Sequence, residues 1–167
     1  MKSVHTRKLV AAALFAALIY VATAFFTVPL PTGYANLGDC FCILAGVLLG
    51  PVFGPLAAAI GSALADVLLG YTVYAPATFL IKGGMALIAW LVYTRLRAPL
   101  PLRLPLGCLC AECVVVGGYF AYEWLLYGPA AVATLLGNSI QGLIGGFAAA
   151  VILLVLEKHP ALTRWLQ

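Results

Sequence analysis

The sequence predicts an all-α membrane protein, a compact bundle of six transmembrane helices with both termini on the cytoplasmic side. Three observations lead there: a composition too apolar for a water-facing surface, apolar runs separated by glycine- and proline-rich breaks, and cations confined to one side. Of the 167 residues, 65% are hydrophobic and 8% charged, and the mean hydropathy is +1.11. A soluble domain carries about a quarter charged residues, so lipid must solvate most of this exterior. Residues 1–167 read as a single domain.

A helix that crosses a bilayer needs about 20 mostly apolar residues. The first candidate covers residues 9–28 and stops at Pro29 and Pro31. Its basic start (Lys2, Arg7, Lys8) and the run Ala22-Thr23-Ala24 also resemble a cleaved signal peptide. The apolar stretch exceeds the usual signal core of about 7–15 residues, which favours a retained helix. A short second helix covers 37–49, and Gly50-Pro51-Val52-Phe53-Gly54-Pro55 reverses the chain into a third over 53–69. Gly70 to Tyr74 forms a loop. The fourth helix covers 75–95, with Pro76 tolerated in its first turn. Pro99, Pro101 and Pro105 punctuate a basic linker, and the last two helices cover 106–127 and 131–156.

Six spans put both termini, the second-to-third turn and the fourth-to-fifth linker on one side. Lys2, Arg7, Lys8, Arg95, Arg97, Arg103, Lys158 and Arg164 all fall there, whereas the three opposite loops hold no Lys or Arg. The excess of cations marks the cytoplasmic face. The net charge of +4 therefore reports topology and implies no nucleic-acid partner.

Polar residues within the spans are costly and mark functional candidates. Asp39 opens the second helix, Asp66 lies near the outer end of the third, and Lys82 lies roughly 10 Å below the start of the fourth at about 1.5 Å per residue. Glu123 sits near the outer end of the fifth helix. Asn138 and Gln141, three apart on the sixth, share a face, as do Tyr119, Tyr122 and Glu123 on the fifth. Five helices thus send polar groups to a similar outer depth, and only Glu112 lies clearly lower. The expectation is an outward-facing polar pocket walled by Tyr34, Tyr71, Tyr74, Tyr119 and Tyr122, a lining that suits a flat heterocycle. Glu123 with Asn138 and Gln141 forms the set best placed for ligand contact. Two simpler roles compete: Asp39 as an N-terminal helix cap, and Asp66 paired with Lys82 to join helices three and four.

Five cysteines (Cys40, Cys42, Cys108, Cys110, Cys113) sit in apolar stretches and read chiefly as small buried residues. Cys110 and Cys113 form a CxxC that leaves a membrane thiol oxidoreductase as a minor reading. No HExxH, GxSxG or phosphate-binding glycine loop occurs, so neither a metal, a cofactor nor a catalytic centre is expected. A self-sufficient proton-coupled carrier using Asp66, Lys82 or Glu123 is the alternative to a partner-dependent protein. The chain shows no obvious internal repeat of the kind such carriers carry.

Asn36-Leu37-Gly38-Asp39, Leu48-Leu49-Gly50-Pro51, Gly61-Ser62-Ala63-Leu64-Ala65-Asp66, Tyr74-Ala75-Pro76-Ala77-Thr78 and Ile81-Lys82-Gly83 together resemble the substrate-binding S components of energy-coupling-factor (ECF) vitamin transporters. The resemblance implies a prokaryotic inner-membrane protein that binds a riboflavin-, pyridoxine- or hydroxymethylpyrimidine-like heterocycle near its outer face. Its partners would be a transmembrane T component and two cytoplasmic ATPases, so the chain itself is expected not to be an enzyme. The residues expected to contact substrate are Tyr34, Asn36, Asp39, Tyr74, Lys82, Tyr119, Glu123, Asn138 and Gln141. The first outer loop, residues 31–38, would act as a lid. Ala12, Ala13, Ala16 and Ala17, spaced four apart in pairs, would contact the T component. Lys2 stands where the metal-importing members place a histidine, which disfavours metal uptake.

Overall fold

The computed structural model describes residues 2–30 and 33–159. Helix α1 (Lys2–Phe25) leads into an antiparallel hairpin of β1 (Thr27–Leu30) and β2 (Gly33–Asn36), followed by α2 (Gly38–Leu68), α3 (Ala75–Arg95) and α4 (Leu100–Tyr127). One 3-10 turn (Gly128–Ala131) then joins α4 to α5 (Val132–Lys158). Residues 31 and 32 of the expected lid and Arg164 lie outside the described residues.

Helix α2 is a hairpin rather than a rod. Gly50 has φ 86° and ψ −172°, a conformation essentially reserved for glycine, and Pro51 restarts the helix behind it. Cys42 Sγ and Ser62 Oγ lie 3.6 Å apart. In a continuous helix twenty residues would separate them by about 30 Å. A β-carbon at Gly54 would fall 2.5 Å from the Ala45 carbonyl oxygen, so the two arms touch backbone to backbone just past the bend. The expected break of six residues is therefore a single one, because both prolines sit where a helix tolerates them or forgoes one bond. Gly128, with φ 60°, reverses α4 into α5 in the same way.

Three other boundaries depart from expectation. The first helix ends at Phe25, not at residue 28. Thr27 and Val28 are β-branched, and Pro29 pushes Val28 into an extended conformation. These residues pair with the segment read as loop: Thr27 faces Asn36 and Pro29 faces Tyr34. Helix α4 starts at Leu100, taking up most of the expected proline linker, since Pro101 falls in the first turn where no N–H partner is lost.

Among the described residues, four stretches are long and apolar enough to cross a bilayer: His5–Phe25, Gly38–Leu68, Ala75–Arg95 and Leu100–Lys158. Large side chains such as Leu125, Leu136 and Phe147 point outward, while the interior is built of alanine and glycine. That is the pattern of membrane helices, whose backbones approach over small residues. Helix α2 packs on α1 and α3, α4 packs on α3 and α5, and α5 returns to α2.

The tightest backbone approach joins α2 to α3, where a β-carbon at Gly46 would meet the Ala86 carbonyl oxygen at 2.2 Å. At Gly83 of α3 the nearest atom would lie at 3.4 Å, an ordinary contact. Gly46→Ala is expected to lower stability by roughly 1–3 kcal/mol through forced separation of the helices. Gly83→Ala should be neutral or stabilising by up to about 1 kcal/mol through helix propensity. Thermal unfolding in detergent, followed by size-exclusion chromatography, compares the two.

Candidate functional site

Because α2 doubles back, Asp39 near its start and Asp66 near its end reach the same end of the bundle, beneath the β-hairpin. Lys82 of α3, Glu123 of α4, and Asn138 and Gln141 of α5 converge on that level. All six are buried: Asp39 and Lys82 are 0% and 1% exposed, and none of the others exceeds 5%. With Tyr34, Asn36, Tyr71, Tyr74 and Tyr119, five of the six line one cavity; Asp39 lies behind Lys82. Thr23, Ser62 and Thr78 line it as well, three small hydroxyls that the sequence reading passed over. Thr23 and Thr78 carry no charge to stand out in an apolar helix.

The floor of the cavity is an ion pair. Lys82 Nζ donates to Asp39 Oδ1, and Gln141 Nε2 donates to Asp39 Oδ2. The backbone N–H of Asn36 donates to Gln141 Oε1 at 2.7 Å, so the hairpin is tied through α5 to the pair. The Lys82 ammonium also lies 5.5 Å from the Tyr119 ring centroid, a cation–π position. The Tyr119 hydroxyl in turn lies 2.9 Å from Thr78 Oγ1.

This arrangement corrects two expectations. Lys82 pairs with Asp39 and not with Asp66, which instead accepts from the Tyr34 hydroxyl of β2. Asp39 does not cap α2, whose start has no side-chain cap. The Gly38 N–H goes to Asn36 Oδ1 at 2.8 Å, leaving the Asp39 carboxylate for the interior. Gly38 is needed there because a β-carbon would lie 2.1 Å from Thr23 Oγ1 on α1.

The walls are aromatic. Tyr34, Tyr71, Tyr74 and Tyr122 form a continuous row with centroids 4.9, 6.3 and 5.7 Å apart. Tyr122 ends the row outside the cavity, its hydroxyl donating to the Val73 carbonyl. Glu123 accepts from the Tyr74 hydroxyl at 3.3 Å and from Thr134. The cavity volume is about 30 Å³, room for about two waters.

The remaining candidates lie elsewhere. Ala12 is buried, and Ala16 packs against α2, where a β-carbon at Gly61 would lie 2.5 Å from its carbonyl oxygen. Ala13 and Ala17 are exposed, so the two alanine pairs part between an inner and an outer face. Cys110 and Cys113 are exposed on α4 away from the cavity. Glu112 lies over Gly142 and Gly145 of α5, its two carboxyl oxygens buried without a hydrogen-bond partner among the described residues.

Comparison with known proteins agrees with this geometry. The description of the ECF-type riboflavin transporter S component matches residues 3–158. The thiamine precursor transporter HmpT of Lactococcus lactis subsp. cremoris is 30% identical over 162 residues, covering 95% of this chain and 92% of its own. An uncharacterized Pyrococcus woesei protein is 35% identical over 145 residues, covering 84% of this chain and 95% of its own. A solved S component of a bacterial ECF transporter shares the fold, with TM-score 0.67, 24% identity, and coverage of 94% and 96% of the two chains.

An apolar helical bundle with a polar, tyrosine-walled cavity beneath a hairpin is the architecture of a membrane transport protein. The chain belongs to the ECF-type riboflavin transporter S component family, the vitamin-binding subunits of ECF transporters.

Removing one partner of a buried ion pair strands the other charge, at a cost of about 3–5 kcal/mol. Lys82→Met is accordingly expected to lower the thermal midpoint sharply. Combining it with Asp39→Asn should recover part of the loss, and a double-mutant cycle in detergent measures the coupling.

Proposed function

We propose that this chain is the substrate-specificity subunit of an ATP-driven ECF importer. It captures a vitamin or vitamin precursor, riboflavin-, pyridoxine- or hydroxymethylpyrimidine-like, from outside the cell. A transmembrane T component and two cytoplasmic ATPases then drive its delivery inward. The chain crosses a prokaryotic inner membrane six times, the arms of α2 counting separately, with both termini in the cytoplasm.

The observation that carries this reading is the polar, tyrosine-walled cavity beneath the hairpin. Its aromatic walls match a flat ring, and its convergent donors and acceptors match the edge of a heterocycle. Tyr34 and Asn36 bring the hairpin into the site, which supports a lid role for residues 33–38. The Lactococcus relative, named for a thiamine precursor, favours the small pyrimidine among the three classes. Arg103 and Glu157, with side-chain atoms 4.0 Å apart at the opposite end from the hairpin, mark the basic and therefore cytoplasmic face. Of the alanines, Ala13 and Ala17 keep an outward face for the T component, while Ala12 and Ala16 serve α2.

Titration of the purified chain with riboflavin, pyridoxine and 4-amino-5-hydroxymethyl-2-methylpyrimidine, read by intrinsic fluorescence, should show saturable one-to-one binding of one of them. Accumulation in vesicles should require co-reconstituted T component and ATPases with ATP. Vesicles holding this chain alone that concentrated the solute would show the ATP-driven account to be wrong.

A further inference from the structure

The charges that line the cavity do not balance. Asp66 and Glu123 face it, and Lys82 is the basic side chain that lines it among the described residues. Lys82 is already engaged, because its ammonium pairs with Asp39. Three carboxyl groups thus surround one cation, and that cation is committed to an internal partner.

Asp66 lines the cavity with acceptor capacity to spare. It is 3% exposed, and its Oδ1 accepts from Tyr34. Its Oδ2 is buried without a hydrogen-bond partner among the described residues. A carboxylate has about four acceptor sites across its two oxygens. In a membrane interior an acceptor left short of donors is costly. Thr78 of α3 is a second hydroxyl beside this carboxyl, whereas Tyr34 sits on the hairpin. If the hairpin moves outward to admit a ligand, the Tyr34 hydroxyl leaves with it, and Asp66 gains further capacity to accept from whatever enters.

We propose that the cavity selects a ligand bearing a hydrogen-bond donor and no negative charge, with Asp66 as the residue that reads the donor. The inference rests on the vitamin-capture reading above and specifies it. An exocyclic amine or a hydroxyl fits, since either offers N–H or O–H to Asp66 while its ring lies beside Tyr71. A phosphate or carboxylate does not, since it would meet Asp66 and Glu123 with no uncommitted lysine to offset them. Like charges brought together in a low-dielectric site repel strongly, so the same residues attract one ligand and reject its anionic derivative. The protein accordingly takes up the unphosphorylated form of its vitamin.

The test compares riboflavin, pyridoxine and 4-amino-5-hydroxymethyl-2-methylpyrimidine with the phosphate ester of each, using the full chain in detergent and fluorescence titration. For the compound that binds, the ester is expected to bind about 100-fold more weakly or worse, as like-charge contacts cost several kcal/mol. Asp66→Asn is expected to weaken the parent compound about 10-fold, in line with loss of a hydrogen bond to a charged group, and to narrow the gap between parent and ester. Equal binding of parent and ester by the unsubstituted chain overturns the inference, whether or not the Asp66→Asn protein folds. So does an Asp66→Asn protein that keeps both the affinity and the gap. If none of the three parents binds, the vitamin-capture reading itself fails, and this inference with it.

Discussion

One buried ion pair organises the site end of the bundle. Lys82 and Asp39 sit where neither charge would be tolerated alone, and each makes the burial of the other possible. Their contact fixes α3 against the first turn of α2. Asp39 then spends its second oxygen on Gln141 of α5, and Gln141 spends its own oxygen on the backbone of Asn36. Four elements (β2, α2, α3 and α5) are placed by one chain of polar contacts, each satisfying a group that the apolar surroundings would otherwise penalise. Around it the helices need little specificity of their own, because alanine and glycine let them approach wherever the polar contacts hold them.

The reversal at Gly50 is the backbone counterpart of that pair. Without it Asp39 and Asp66 would lie at opposite ends of a long rod. With it one element delivers two carboxyl groups to the same level, one to Lys82 and one to Tyr34. The division of labour between the two acids is a division between frame and binding surface. Asp39 is enclosed and saturated, while Asp66 faces the cavity with capacity to spare.

Much of this was legible in the residues. Long apolar runs must be helices in lipid, because the backbone there has to bond internally, and Gly50-Pro51 and Gly70 announced reversals by residue type alone. The clustering of polar residues at one level followed from counting turns. What counting could not supply was partner choice. Asp39 and Asp66 both lie at the depth of Lys82, and which of them meets it depends on the rotation of each helix about its axis, to which hydropathy is blind when small residues cover every face. The hairpin was hidden for a different reason: its strands are four residues each, too short for an alternating pattern and interrupted by Pro29. The extra turns at the start of α4 were missed because prolines that usually signal a break sit here where a first turn accepts them. The split of Ala12 and Ala16 from Ala13 and Ala17 likewise needed coordinates, since both pairs have the same spacing.

The hairpin is fastened at two separated points, Tyr34 to α2 and Asn36 to α5. A two-stranded ribbon of this length has little stability of its own, so it keeps its shape only while both anchorages keep their spacing. It behaves as a strap stretched between two posts. Any rearrangement that spreads α2 from α5 pulls on both fastenings at once and must break one of them, without anything touching the hairpin from outside. A force applied to the sides of the bundle would then be felt at the mouth of the cavity.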